Sequence, residues 1–283
     1  MPELPEVESV RRVLQKQLPG QTVRATEVYL PKIIAGKGAN RKHLPVDVTA
    51  FQEFCRNKQI SKISRRAKNL LLTFTDESLL LIHFKMSGQL LWVNTKEAVS
   101  GEKYVHVLWE LDKGYLLYKD LRQFGYVLPY PSSAALREHF ADLGMEPFGV
   151  EYEYATFAAR LKKKQGVLKK VFLDQSVVVG LGNIYADEVC HYARVKPTRK
   201  AATLKKKELE DLYRGIREIL STSISVGGTT KYTHTLPDGE QGRYKDFLQV
   251  YGRGGEKCFR DGNPLTKAQV AGRTTVWCEK CQK

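Results

Sequence analysis

Near the C-terminus, CFRDG at 258–262 and CEKC at 278–281 are spaced like the two halves of a zinc ribbon. Two C-x2-C pairs about 16 residues apart each put two sulfurs on one tight turn, and the four thiolates can close a tetrahedron. Here the second position of the first pair is Asp261. Cys258, Cys278 and Cys281 with the Asp261 carboxylate can still hold Zn2+, because oxygen ligands at about 2.0–2.2 Å are accepted. Alternatively Asp261 points away and the site is weakened or empty. Three of the five cysteines cluster here, which favours a metal site over a disulfide framework. Cys55 and Cys190 sit alone among mixed residues and read as buried structural thiols. Arg273, between the two pairs, would be presented to a phosphate by a ribbon turn.

Other stretches combine cations with glycine or with apolar residues. In VVVGLGNIYADE (177–188) the third glycine of a dinucleotide fingerprint fails, since position 185 is Tyr, and no βαβ context surrounds it. Gly180 and Gly182 suit a tight junction between helices, with Asn183 as the cap of the next one. Free N–H groups at such a start can hold a phosphate, and an ordinary glycine turn is an equal alternative. SRRAKN (64–69) carries Arg65, Arg66 and Lys68, and by itself reads as a solvated basic hairpin. HFKMSG places His83 and Lys85 beside Met86, and DLRQFG places Arg122 beside Phe124. A cation next to an apolar wedge suits penetration of a base stack, although each could also be a strand end with a core Met or Phe.

The whole chain is basic, with 46 Lys plus Arg against 31 Asp plus Glu and a net charge of +15 over 283 residues. That excess points to a polyanionic partner. Yet the chain opens MPELPEVESV, with three glutamates and no basic residue. The hydrophobic content of 42% excludes a disordered chain. No apolar run approaches the ~18–20 residues of a membrane span, and the N-terminus lacks a secretory layout, so a cytoplasmic protein is expected.

The elements that must position these residues follow from periodicity. Pro5 suits a first helical turn, Glu6 and Glu8 favour the positive end of the helix dipole, Val7, Val10, Leu14 and Leu18 form one face, and Pro19-Gly20 stops the run. From about 21 to 130 short strands dominate: KNLLLTF and SLLLIHF flank the turn TDE, and KYVHVLWEL and YLLYKDL flank DKG. Antiparallel strands in this number predict a sandwich or barrel. PYPSS and MEPFGVE bracket a short helix and mark a boundary. After 151 the period is helical: YATFAARLKKK, LKKVFLDQSVV, IYADEVCHYA, and a longer helix from TLKKKELEDL to STSI stopped by Gly227-Gly228. A β-ribbon follows from 248.

Taken in order, PELPEVE, RRAKNLL, HFKMSG, DLRQFG, LDQ…VGLGNIYADE, DGEQG and VYGRG…C…WCEKCQ resemble the formamidopyrimidine-DNA glycosylase (Fpg) branch of the Fpg/Nei family. Seven matched segments are far more specific than any one, and Met86, Arg122 and Phe124 together favour the Fpg branch. The resemblance implies an α+β architecture: an N-terminal β-sandwich with flanking helices, then a helix-two-turn-helix domain ending in a zinc-ribbon hairpin. The boundaries expected are 1–132, a linker at 133–150, 151–247 and 248–283. Asp261 departs from the family pattern, where a cysteine is usual.

The implied activity is excision of oxidised purines, chiefly 8-oxoguanine opposite cytosine and formamidopyrimidines, followed by β,δ-elimination at the abasic site. Implied roles are the Pro2 nitrogen as nucleophile after loss of Met1, Glu3 as general acid/base, Glu6 in support, and Lys68 on a phosphate beside the lesion. Met86, Arg122 and Phe124 would intercalate, and His83, Lys169, Asn183 and Arg273 would complete the DNA contacts. One structural Zn2+ is the implied cofactor. The implied partner is double-stranded DNA with oxidised bases or abasic sites, bound by a nucleoid-associated monomer. Two rivals remain: a damaged-DNA-binding relative without catalysis, and, less favoured, a nicotinamide-dependent enzyme built on GLG.

Overall fold

The computed structural model describes residues 1–36, 38, 46–229 and 235–283. The chain divides into two compact bodies: Met1–Pro2, Glu6–Ala141 and Gly227–Gly242 form the first, and Glu3–Pro5, Asp142–Val226 and Arg243–Lys283 the second.

The first body is built on two four-stranded antiparallel sheets. One has the order β1 (Val23–Val28), β6 (Val105–Leu111), β7 (Gly114–Asp120), β5 (Gly88–Val93); the other runs β2 (Ile60–Arg66), β3 (Asn69–Phe74), β4 (Leu79–His83), β8 (Tyr126–Tyr130). Their inner faces share one core, in which Trp109, Leu116 and Tyr118 of the first sheet join Leu70, Leu72, Leu80 and Ile82 of the second. Side chains alternate across a strand. In β4, Leu80 and Ile82 therefore enter that core, while Leu79 and Leu81 face outward. The outward pair is covered by Leu136 and Phe140, from a 3-10 turn (Ser133–Leu136) and α4 (Arg137–Phe140). This cover explains the unbroken apolar run of that strand. Helix α1 (Leu4–Gln17) lays Val7, Val10 and Leu14 into the sandwich core, and Leu18 follows them there. Asp47 caps α2 (Val48–Cys55) by accepting the Ala50 N–H, and Thr95 caps α3 (Lys96–Ser100). Cys55 is buried, and desolvation pushes its thiol up to about 11, as expected of a structural residue.

The second body is helical. It contains α5 (Tyr154–Lys162), α6 (Leu168–Leu173), α7 (Asn183–Tyr192) and α8 (Lys206–Ser225), with the ribbon β9 (Thr266–Val270) and β10 (Arg273–Trp277). Phe157, Leu161, Phe172, Tyr185, Leu212 and Ile216 meet in its core. Sequence periodicity extends α6 through VVV, but the helix stops at Asp174. There the Asp174 carboxylate turns back to accept the Ser176 N–H. Val177–Val179 are buried in a turn and bend, with Val178 bridged in parallel to Met145. A run buried on all sides is apolar in either conformation, so periodicity alone does not separate the two. Among the described residues no helix is long and apolar enough to cross a membrane.

Candidate nucleic-acid interface and metal centre

The acidic start of the chain is engaged by distant backbone. Glu3 accepts the N–H groups of Gly182 at 2.6 Å, Ile184 at 2.9 Å and Tyr185 at 3.3 Å. Gly182, not Asn183, is the cap residue of α7, and it supplies no side-chain cap. The helix start that the sequence offers to a phosphate thus holds Glu3, which satisfies the orphan donors and the dipole of that helix. Close approach also explains the glycine: a Cβ at 182 would fall 2.5 Å from Glu3 Oε1. Leu4 continues the docking, its N–H donating to the Gly180 carbonyl at 3.0 Å. Glu6, equally buried, accepts the Thr229 N–H at 2.7 Å. Pro2 is buried, whereas Met1 is 53% exposed. Beyond Thr229, residues 230–234 lie outside the described residues, and the Pro237 carbonyl accepts the Trp92 N–H.

In the sandwich body, Ala67 and Lys68 form the turn between β2 and β3, closed by the pair Arg66–Asn69. Lys68 is only 7% exposed, so the hairpin is not the freely solvated basic run that its charge suggests. His83 ends β4. Its Nδ1 accepts the Lys85 N–H at 2.9 Å, which leaves the ring proton on Nε2. Desolvation, with Lys85 and Lys68 nearby, pushes its pKa down to about 3. His83 therefore carries a neutral Nε2–H and no charge near neutral pH. Met86 and Phe124 remain 44% and 48% exposed, large apolar side chains presented to water on two loops. The Arg122 guanidinium lies 4.9 Å from the Phe124 ring centroid, a cation–π pair that stiffens both. Neither Met86 nor Phe124 is a core residue ending a strand.

In the helical body the sequence-derived set separates. Asn183 opens α7 and its amide donates to the Thr274 carbonyl of β10 at 3.1 Å. Arg273, one residue before, is exposed. Lys169, expected among the DNA contacts, is not at the surface at all. Its Nζ is fully buried, bonded to Asp187 Oδ1 at 2.6 Å and to the Asn183 carbonyl at 2.9 Å. An ammonium buried in an apolar core needs such anionic and carbonyl partners. Lys169 is thus tied to the first residue of α7 and not presented to a ligand at the surface. The other Asp187 oxygen accepts the Val276 N–H of β10 at 3.1 Å. Burial pushes Asp187 up to about 7, against the opposing pull of Lys169. Its neighbour Glu188 accepts three N–H groups, from Gln249, Val250 and Tyr251, and burial raises it too. The ADE carboxylates, not singled out as functional in the sequence, thus tether the VYGRG stretch and the ribbon to α7. Their signal was two adjacent acids inside an otherwise apolar helix.

The ribbon gathers Cys258, Asp261, Cys278 and Cys281, with one ligand atom of each within 4.8 Å of the others. Zn–S bonds of about 2.3 Å at tetrahedral angles put sulfurs about 3.8 Å apart. The Cys258 and Cys281 sulfurs are 3.9 Å apart, and Cys278 Sγ lies 3.3 Å from Asp261 Oδ2. Asp261 points into the cluster, and the Asn263 N–H holds its carboxyl below the usual range. The four groups can hold a metal ion. His191, which the sequence did not flag, adds an imidazole Nε2 3.7 Å from Cys258 Sγ. Cys190, beside it, is buried with its thiol raised by desolvation.

Comparison with known proteins covers the chain end to end. Residues 1–127 match the model of the formamidopyrimidine-DNA glycosylase N-terminal domain, and 143–235 that of the formamidopyrimidine-DNA glycosylase H2TH domain. The chain is 38% identical over 285 residues to the formamidopyrimidine-DNA glycosylase of Pelotomaculum thermopropionicum, covering 100% of this chain and 99% of that protein. It is 39% identical over 286 residues to that of Heliobacterium modesticaldum, covering all of both. Among solved structures, Lactococcus lactis Fpg (MutM) bound to DNA containing an oxidised pyrimidine superposes with a TM-score of 0.89 at 33% identity, covering 100% of both chains. MutM in complex with DNA containing carbocyclic 8-oxo-G gives the same three values.

Proposed function

Because the chain belongs to the formamidopyrimidine-DNA glycosylase family, we propose that it removes oxidised purines from duplex DNA and then cuts the strand at the abasic site. The observation that carries this reading is the anchoring of Glu3 by three N–H groups at the start of α7. Glu3 directly follows Pro2 in the chain, and the Pro2 nitrogen would be a secondary amine once Met1 is removed.

The chemistry follows from that amine. An α-amino group titrates near 7.7–8.0, against about 10.4 for lysine, so a useful fraction is neutral at physiological pH. The lesion nucleotide is first turned out of the stack, at a cost of a few kcal/mol. The Pro2 nitrogen then attacks C1′, the C1′–base bond breaks, and the base leaves with its bonding pair. Glu3 takes the proton that the amine loses on attack and passes it to the sugar ring oxygen as the ring opens, while the departing base takes a proton from water. The resulting iminium withdraws electrons, the C2′ proton is lost, and the 3′ phosphate is expelled; a second elimination releases the 5′ phosphate. Lys68 and the His83 Nε2–H hold phosphates near the lesion, with Asn183 and Arg273 contacting the backbone. Met86 fills the vacated stack, Arg122 pairs with the orphaned cytosine, and Phe124 wedges the neighbouring step. Glu6 supports the site by holding the Thr229 N–H.

The metal that suits the ribbon is Zn2+, which accepts three thiolates and one carboxylate without a preferred geometry of its own. Its role would be to fold the ribbon that presents Arg273. Incubating the processed protein with an 8-oxoguanine duplex and borohydride tests the reaction. A reduced covalent adduct, lost in Pro2→Gly, supports it; no adduct from processed protein would leave a binding protein without catalysis.

A further inference from the structure

The loops that carry Met86 and Arg122–Phe124 are far apart in sequence, yet one buried carboxylate holds both. Asp120, at the end of β7, has no exposed surface. Its Oδ1 accepts the Ser87 hydroxyl at 2.5 Å and the Arg122 N–H at 3.2 Å, and its Oδ2 accepts the Gly125 N–H at 2.7 Å. Ser87 Oγ in turn accepts the Arg122 N–H at 2.9 Å. These donors belong to Arg122 itself, to Ser87 beside Met86 and to Gly125 beside Phe124. Gly88 pairs directly with Asp120 across β5 and β7.

Tyr118, two residues earlier on the same strand, closes the arrangement from below. Its hydroxyl donates to the His83 carbonyl at 3.3 Å. A Cβ at Gly88 would fall 2.7 Å from that hydroxyl, and one at Gly125 would overlap it. Both motif glycines are thus spaces filled by one side chain. The loops also hold Lys85 and Gln123 at φ of +50° and +56°, a region that costs a non-glycine residue free energy and persists only when neighbours enforce it.

Resting on the wedge reading above, we propose that Asp120 is a positioning residue that locks the two loops into one block, so that Met86, Arg122 and Phe124 enter the stack together. Separate loops would order independently at each insertion. A shared buried carboxylate with charge-assisted hydrogen bonds orders them beforehand.

Binding to a duplex with a tetrahydrofuran abasic analogue opposite cytosine, and to the same duplex undamaged, tests this. Met86→Ala and Phe124→Ala, singly and together, are measured in the parent, in Asp120→Asn and in the milder Ser87→Ala. In the parent each single change is expected to weaken abasic binding about tenfold, and the double no more than about twofold beyond either, the non-additivity of a coupled unit. In the Asp120→Asn and Ser87→Ala backgrounds the two losses should multiply, and Asp120→Asn alone should weaken abasic binding about tenfold while changing undamaged binding less than about twofold. Multiplying losses in the parent, or the same non-additivity in both backgrounds, would overturn the coupling. No effect of Met86→Ala or Phe124→Ala in the parent would remove the wedge reading itself. Loss of fold alone would weaken both duplexes equally.

Discussion

The Nζ of Lys169 lies 2.6 Å from Oδ1 of Asp187, and neither side chain is exposed. Removing one partner of a buried pair leaves an uncompensated charge and costs about 3–5 kcal/mol, whereas removing both with apolar groups is much milder. Lys169→Met should lower the unfolding free energy by about that much. Lys169→Met/Asp187→Leu should recover part of it, but not all, because the Val276 N–H loses its acceptor at about 1–3 kcal/mol. Urea denaturation of the three proteins gives the order directly.

The four groups that can hold a metal ion include one oxygen donor, Asp261, and that residue is exposed. Purified protein should contain about one equivalent of zinc, and Cys278→Ser should lose most of it. Asp261→Cys should bind zinc more tightly in chelator competition, because a fourth thiolate is the softer ligand. With Co2+ in place of zinc, the sulfur-to-metal absorption should rise in Asp261→Cys by about a third, reflecting four thiolates instead of three. Folded wild-type protein with near-zero zinc would exclude the ligand set.

Asn183 and Arg273 sit beside one another on α7 and β10, one neutral and one charged. Only a cation that neutralises a phosphate changes the salt dependence. Arg273→Ala should make the slope of log affinity against log salt shallower by about 0.9. Asn183→Ala should weaken binding at every salt concentration with the slope unchanged. Fluorescence anisotropy titrations between low and moderate salt distinguish the two.

His83 gives a pH signature. Its pKa is about 3 in the fold, against 6.5 ordinarily. Between these values the unfolded chain binds the proton and the folded chain does not, so stability falls as pH drops from 6.5 toward 3 and is unaffected above 6.5. Because the ring is partly exposed, screening reduces the effect to about 1–2 kcal/mol. His83→Gln should remove that part of the acid slope, read as the difference between the two proteins' urea midpoints at pH 7.5 and pH 4.5.

Sequence reading recovered the elements whose patterning is local. The face Val7, Val10, Leu14 and Leu18, the hairpin turns of the sandwich, and the stop of α8 at Gly227-Gly228 all follow from spacing and turn chemistry. The ligand spacing of the ribbon was likewise legible, because thiolates at fixed intervals have few other uses. What spacing did not carry was the set of partners brought in from a distance. The α7 start read equally as a phosphate cradle or an ordinary glycine turn, because the carboxylate that fills it, on Glu3, is 179 residues from Gly182. Lys169 looked like a surface cation because its acid is 18 residues on, inside another helix. The VVV run read as helix because complete burial erases the period that separates helix from strand.

The two N-terminal carboxylates also set a timetable for synthesis. Glu3 finds its acceptor-seeking backbone only when residues 182–185 exist, and Glu6 only when Thr229 does. At about 5–20 residues per second, the first decapeptide leaves the ribosome on the order of 10–45 s before both anchors have been made. For that interval the acidic segment lacks both of these anchors. Its capture by α7 and Thr229 therefore cannot precede synthesis of the segments that hold it.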